Sequence, residues 1–419
     1  MIEPPTAPED SGTKMALKTI EDIDVKGKCV LMRTDFNVPM TPDNRVANNF
    51  RITQAIPSIR SVIERGGRLV LMSHLGRPDG SGFVERHSLK PVAEELGSLL
   101  GDLAPDGVFF PSNDCVDERT RESVAALKDG QVLMLENLRF HVGEMEDDAN
   151  FAAKLAGYGE IYCNNAFGCC HRAHASIYAT PMHMMDHPRV AGLLVAEEVR
   201  YLRELLASPE HPFVSILGGA KVSDKIGALK NMIGKVDSLL IGGAMAYTIM
   251  KVMGREVGSS LIEDDKLGQA EEIIHLVDSS STDLVLPVDH VCGRELSHES
   301  PVMVSHPDIP SGWMGLDIGP STTARFTEVV RNAKTVVWNG PLGAFETTPF
   351  DVGTRQISVA MASCTESGGI TVVGGGDTVS AVGLSGMTAR MSHVSTGGGA
   401  SLKLLEGDDL IGLQPLEQA

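Results

Sequence analysis

Two doubly wound, parallel-sheet (Rossmann-like) α/β domains joined by a connecting helix are the fold class that this sequence predicts. Three observations predict it. Short apolar runs recur nine times with room for a helix between neighbours, the pattern of strands buried on both faces. A long amphipathic stretch near the middle ends in a cluster of breakers. The 419 residues also exceed what one compact core accommodates, so the length divides most naturally as two domains.

The first half supplies the runs Cys29–Met32, Leu69–Met72, Val132–Leu135 and Ile161–Cys163. Between the first two, Ile52, Ala55, Ile56, Ile59 and Ile63 form an apolar stripe at helical spacing. The second half supplies Phe213–Leu217, Leu239–Ile241, Leu284–Val288, Thr335–Trp338 and Ile370–Val373. Strand–helix alternation of this kind predicts parallel sheets. Across 191–207, Leu194, Val195, Val199, Leu202 and Leu206 make a second helical stripe, which stops at Ser208-Pro209-Glu210-His211-Pro212. The expected organisation is a disordered tail over 1–14, an N-terminal domain over 15–190, an interdomain helix over 191–207 and a C-terminal domain over 208–400.

Composition narrows the function. A chain 42% hydrophobic and 22% charged is globular, and its net charge of −19 repels nucleic acid and anionic membrane. No uncharged stretch reaches the ~18 residues of a membrane span. Seven cysteines without a C-x-x-C pair, two of them adjacent, read as thiols of a reducing, cytoplasmic compartment. The polar start, Met1 to Lys14, lacks the apolar core of a secretory signal.

Ligands of open α/β sheets sit beyond the carboxyl ends of the strands. In the first half those ends, with the start of the striped helix, gather Arg51, Arg77, Arg139, Arg172, His74, His171 and His174. Guanidinium groups take phosphate and carboxylate bidentately, so this half is built for a small polyanion. The second half ends its strands in Gly218-Gly219-Ala220-Lys221, Gly242-Gly243-Ala244, Trp338-Asn339-Gly340-Pro341 and Gly374-Gly375-Gly376-Asp377-Thr378, with Gly397–Gly399 later. Glycine admits close backbone approach, and a helix N-terminus offers free N–H groups to anions. With Lys221, Lys225 and Asp377 attached, these turns point to a nucleotide and Mg²⁺. No Walker or dinucleotide fingerprint is present. A polyanion half beside a nucleotide half predicts a two-domain small-molecule kinase.

The motifs Leu31-Met32-Arg33-Thr34-Asp35-Phe36-Asn37-Val38-Pro39 and Ser73-His74-Leu75-Gly76-Arg77-Pro78 resemble those of the phosphoglycerate kinase family. Leu217 to Lys225, Trp338-Asn339-Gly340-Pro341 and Gly374 to Thr378 extend the resemblance from about Met15 to about Leu416. The resemblance implies a bilobal, hinge-bending kinase that passes the 1-phosphate of 1,3-bisphosphoglycerate to Mg·ADP, giving 3-phosphoglycerate and ATP. It also implies a monomer whose segment 401–419 returns to the N-terminal domain. Asp35, Phe36, Asn37, Arg51, His74, Leu75, Gly76, Arg77, Arg139 and Arg172 are then the 3-phosphoglycerate residues. Gly219, Ala220, Lys221, Lys225, Gly315, Asn339, Pro341, Glu346, Gly375, Gly376, Asp377 and Thr378 are the nucleotide residues. Asp377 is the Mg²⁺ ligand, and Arg51, Lys221, Gly376 and Gly399 face the transferring phosphoryl group. The alternative is a catalytically weak nucleotide-binding regulator of the same fold.

One segment departs from the family pattern. Asn164-Asn165-Ala166-Phe167-Gly168-Cys169-Cys170 carries Asn165 where Asp is usual, which removes one negative charge expected near the arginine cluster. Cys169 and Cys170 are expected to be small buried packing residues rather than metal ligands.

Overall fold

A computed structural model describes residues 17–417, without the side chains of 204 and 205. The expected tail over 1–14 lies outside the described residues. Fifteen strands are present among those described. The first six are β1 (Cys29–Thr34), β2 (Arg68–Met72), β3 (Val108–Phe109), β4 (Val132–Met134), β5 (Ile161–Asn165) and β6 (Arg189–Ala191). They form one sheet in the order β3-β4-β2-β1-β5-β6, every pair parallel. Next come β7 (Phe213–Leu217), β8 (Ser238–Ile241), β9 (Asp283–Val285), β10 (His290–Gly293), β11 (Met303–Ser305), β12 (Met314–Ile318), β13 (Thr335–Asn339), β14 (Ile370–Gly374) and β15 (His393–Val394). Six of these make a second parallel sheet in the order β15-β14-β13-β7-β8-β9.

All nine expected strands exist. The sequence missed β3 and β15, whose two residues are too short to register as runs, and β6, whose Arg189 leaves only two apolar positions. It also missed a small antiparallel sheet, β11-β10-β12. The run expected over Leu284–Val288 stops at Val285, because Pro287 cannot donate to a ladder. The helix expected from Ala191 starts at Leu193, and Ala191 is the last residue of β6. A π-helical turn over Arg200–Glu204 interrupts that helix.

Two compact units result. One holds 17–166, 172–196 and 411–417; the other holds 167–171 and 197–410. In the first, Val30, Met32, Leu69, Leu71 and Met134 pack against the helix Phe50–Glu64 through Ile52, Ala55, Ile59 and Ile63. Ile56, expected on that stripe, is only partly buried; Ser58 and Val62 take the inner face instead. Arg65 ends the helix, its guanidinium donating to the carbonyls of Ile20 and Ile23 at 2.7 and 2.8 Å. In the second unit, Trp338 is fully buried between Val336, Val373 and the helix Val352–Glu366. All seven cysteines are free and buried, Cys169 and Cys170 among them.

Candidate functional site

Each parallel sheet aims its strand ends at one edge, and in both sheets the chemistry follows four consecutive central strands. In the first unit these are β4, β2, β1 and β5. Arg51, in the first turn of the helix Phe50–Glu64, reaches back to the turn after β1, where its Nη1 lies 3.0 Å from Asp35 Oδ2 and 3.0 Å from the Asn37 carbonyl. Asn37 Oδ1 accepts from Gly76 N at 2.8 Å, and the Gly76 carbonyl accepts from Arg139 Nη1 at 2.8 Å. Phe36 N donates to Ser73 Oγ at 2.9 Å, and both Phe36 and Leu75 are buried. One connected network therefore joins Asp35, Asn37, Arg51, Gly76 and Arg139. Arg77 is exposed and its guanidinium bonds no described group; Arg172 is exposed on the segment after β5.

The loop after β4 is held by Glu136 and Asn137. Buried Glu136 accepts from Ser88 Oγ at 2.7 Å and Leu89 N at 2.8 Å, and Asn137 Nδ2 donates to the Leu75 and His87 carbonyls. Burial pushes the Glu136 carboxyl up, and these bonds oppose the rise. His74 is buried, and desolvation followed by the charges of Arg33 and Arg139 holds its imidazole well below the ordinary histidine range. His74 is a neutral hydrogen-bonding group here.

Asn165 answers the question that its amide raised. Its Oδ1 accepts from Ser58 Oγ at 2.9 Å and from Leu194 N at 3.2 Å, while Nδ2 is buried with no partner. The side chain serves the start of the helix Leu193–Val199 and bonds no arginine.

In the second unit the chemistry follows β8, β7, β13 and β14. Two adjoining cavities, sharing Gly219, Ala220, Pro341 and Asp377, lie at this edge. One of about 540 Å³ is lined by Lys221, Lys225, Asn339, Gly375, Gly376, Thr378 and Gly399 among others. Two helices of nine residues, Gly376–Leu384 and Gly398–Glu406, begin at its wall, so their unpaired N–H groups and positive dipole ends favour an anion. The other, of about 340 Å³, is an apolar slot formed by Tyr247, Leu261, Leu296, Gly315, Leu316 and Leu342, with Glu346 at its rim. Every nucleotide residue expected from the sequence lines one or both cavities. The slot's Tyr247, Leu261 and Leu296 were not expected, and no local pattern marks them; their one signal is that Leu261 and Leu296 stay 57% and 59% exposed.

Polar atoms left open define what the larger cavity lacks. Asn339 is 1% exposed and its Oδ1 accepts from Lys225 Nζ, yet its Nδ2 is buried without a partner. Such an orphan donor costs roughly 1–3 kcal/mol unless a ligand supplies an acceptor. Burial pulls the Lys225 ammonium below its ordinary value. Lys221 and Asp377 are exposed at the cavity, and their side chains hydrogen-bond no described group. An oxygen-rich anion with a hard divalent cation at Asp377 fits this donor set.

Comparisons with known proteins agree along the chain. The phosphoglycerate kinase family profile matches residues 20–408. The chain is 47% identical over 408 residues to a phosphoglycerate kinase of Rhodopirellula baltica, covering 97% of this chain and 100% of that protein. It is 47% identical over 409 residues to that of Chloroherpeton thalassium, with the same coverage. The solved structure of phosphoglycerate kinase from Coxiella burnetii matches with a TM-score of 0.84 at 35% identity, covering 96% of this chain and 99% of that one. The Pyrococcus horikoshii enzyme matches with a TM-score of 0.81 at 27% identity over the same shares. With two six-stranded parallel sheets, an arginine-rich rim on one and glycine-rich turns on the other, this chain belongs to the phosphoglycerate kinase family, whose members are phosphotransferases acting on a carboxyl group.

Proposed function

We propose that the protein passes the 1-phosphoryl group of 1,3-bisphosphoglycerate to Mg·ADP, reversibly, with the substrate acid on the arginine rim and the nucleotide in the paired cavities. The single observation that carries this reading is the larger cavity. It joins two helix N-termini, Lys221, Lys225 and an unpartnered Asn339 amide around one anion-sized space.

In the direction of ATP consumption, a carboxylate oxygen of 3-phosphoglycerate attacks the terminal phosphorus. The bond from that phosphorus to the ADP oxygen breaks as the new acyl phosphate bond forms. The nucleophile is already ionised, so no general base is required, and catalysis is positioning and charge stabilisation. Arg51, steadied by Asp35 and the Asn37 carbonyl, and Lys221 are assigned to the transferring group, with the N–H groups of Gly376 and Gly399. The arginines and His74 hold the 3-phosphate, and Asp35 and Asn37 take the hydroxyl and carboxyl side. The base occupies the apolar slot, with Glu346 on the ribose. Asp377 would hold Mg²⁺, which supplies charge neutralisation on the phosphate oxygens.

A cytoplasmic monomer acting on small molecules, in glycolysis or its reverse, completes the reading. No helix among the described residues is long and apolar enough to cross a membrane. The matches lend no support to the regulatory alternative.

The test is 3-phosphoglycerate-dependent ATP consumption with Mg²⁺ in a coupled assay. Turnover above ~10 s⁻¹ is expected, falling at least ~10²-fold in Lys221→Ala. ATP binding without turnover would instead favour the regulator.

A further inference from the structure

Behind the arginine rim lies a buried chain of polar groups that the proposed transfer does not use. Arg33, one residue before the end of β1, is fully buried. Its Nη2 lies 3.1 Å from His74 Nδ1 and its Nε lies 2.8 Å from Ser176 Oγ, while Nη1 donates to the Thr34 carbonyl. Ser176 Oγ is 2.6 Å from Glu144 Oε1, and Ser176 N donates to Glu144 Oε2 at 2.9 Å. Glu144 is also fully buried, with Arg33 Nη2 at 3.9 Å and His174 Nδ1 at 4.0 Å.

A guanidinium can only donate, and this fixes the direction of each bond that Arg33 makes. Arg33 Nε–H donates to Ser176 Oγ, which leaves the hydroxyl proton for Glu144 Oε1 when that buried carboxyl is ionised. In the same way Arg33 Nη2–H donates to His74 Nδ1, which must then carry a lone pair. A neutral imidazole with a bare Nδ1 has its proton on Nε2. Burial and the charges of Arg33, Arg139, His174 and Arg51 disfavour a second proton on the ring. One group pulls the other way. Asp35 Oδ1 lies 3.9 Å from Nδ1, too far for a hydrogen bond, so the donor at 3.1 Å prevails.

We propose that Arg33 is a positioning residue that locks His74 in the Nε2–H tautomer, with the Ser176–Glu144 pair behind it fixing Arg33 in turn. The other neutral tautomer would present a lone pair at Nε2 and repel an anionic oxygen. The locked one presents a donor. This rests on the reading that His74 faces 3-phosphoglycerate, and it adds how the protein makes that histidine fit for an anion without charging it.

The experiment is a two-bond ¹H–¹⁵N correlation spectrum of the full-length protein labelled with ¹⁵N-histidine, without substrate, near neutral pH. The His74 signals are assigned by their absence from His74→Gln. The expected pattern is protonated Nε2 with unprotonated Nδ1; a protonated Nδ1 overturns the proposal, and this reading needs no variant of Arg33. In Arg33→Met the ring is expected to become a mixture of tautomers, and KM for 3-phosphoglycerate to rise about tenfold with KM for ATP unchanged. An unchanged tautomer in that variant also overturns it. Should Arg33→Met fail to fold, Arg33→Lys, which keeps the charge and loses the fork, carries the same expectation. If His74→Gln leaves KM for 3-phosphoglycerate unchanged while the tautomer is as expected, the substrate-site reading fails and the locking stands.

Discussion

Asp317 in β12 is buried, and its two carboxylate oxygens accept from Ile318 N at 2.9 Å and Gly353 N at 2.6 Å. Those bonds favour ionisation, but burial dominates and pushes the carboxyl up to about 8 from an ordinary 3.8, with Asp351 adding to the rise. Between those values the native state holds a proton that the unfolded chain has released. Stability therefore falls as pH climbs through that window, by at most about 1.4 kcal/mol per unit. Calorimetry of wild type and Asp317→Asn across the window should show a shallower slope in the variant, even where its absolute Tm is lower for want of one acceptor. An equal slope would place the proton elsewhere. Residues such as Asp35, Asn37 and Arg51 were legible in the sequence because they directly follow a strand run or open a helix. Arg33, Ser176 and Glu144 were not, since what makes them matter is convergence from three separate segments onto one buried point. Asn165 shows a third case. The sequence flagged the substitution, but only the fold reveals that its carbonyl serves Ser58 and a helix start.

The glycine-rich turns assigned to the nucleotide are interlocked at the level of elements. Gly218, just past β7, would place a Cβ 2.2 Å from the Pro341 carbonyl, and Gly340, just past β13, would place one 2.1 Å from the Gly218 carbonyl. Gly340 also has φ +100, a region that side chains avoid. Backbone bonds from Gly218 N to the Asn339 carbonyl and from Gly219 N to the Pro341 carbonyl knit the two turns together, and Thr378 Oγ1 accepts from Gly340 N. Three strand ends thus share one scaffold. Gly218→Ala is expected to raise KM for ATP by about tenfold or more while leaving KM for 3-phosphoglycerate near wild type, because the forced shift is confined to these turns. Equal changes in both constants would argue against so local a role. The strands themselves were readable because each is an apolar run of at least three residues. The β11-β10-β12 sheet was not, because its strands are short, mix apolar with polar residues and glycine, and pair irregularly, with a register shift after Val291.

At the scale of the molecule, the residues assigned to 3-phosphoglycerate belong to one compact unit and those assigned to the nucleotide to the other, while His171 of the rim lies with the second unit. Transfer needs both on one phosphorus, so binding of the two substrates together should draw the units closer and exclude water, protecting the acyl phosphate from hydrolysis. Small-angle scattering should show a smaller radius of gyration with 3-phosphoglycerate and nucleotide than with either alone; no change would count against closure. The −19 charge was legible as a bar to polyanionic macromolecules, and the local arginine rim as the exception to it. The path of the chain end carries a further implication. Residues 411–417 lie with the N-terminal unit, where Leu413 and Leu416 are buried and the Gly412 carbonyl accepts from Asn164 Nδ2 at 3.1 Å. Asn164 stands in β5, inside the sheet that the ribosome makes first. That sheet therefore waits, with a vacant apolar seat, until residues 411–417 have been made. During synthesis it is the second unit, continuous from 197 to 410 apart from one small loop, that can close first.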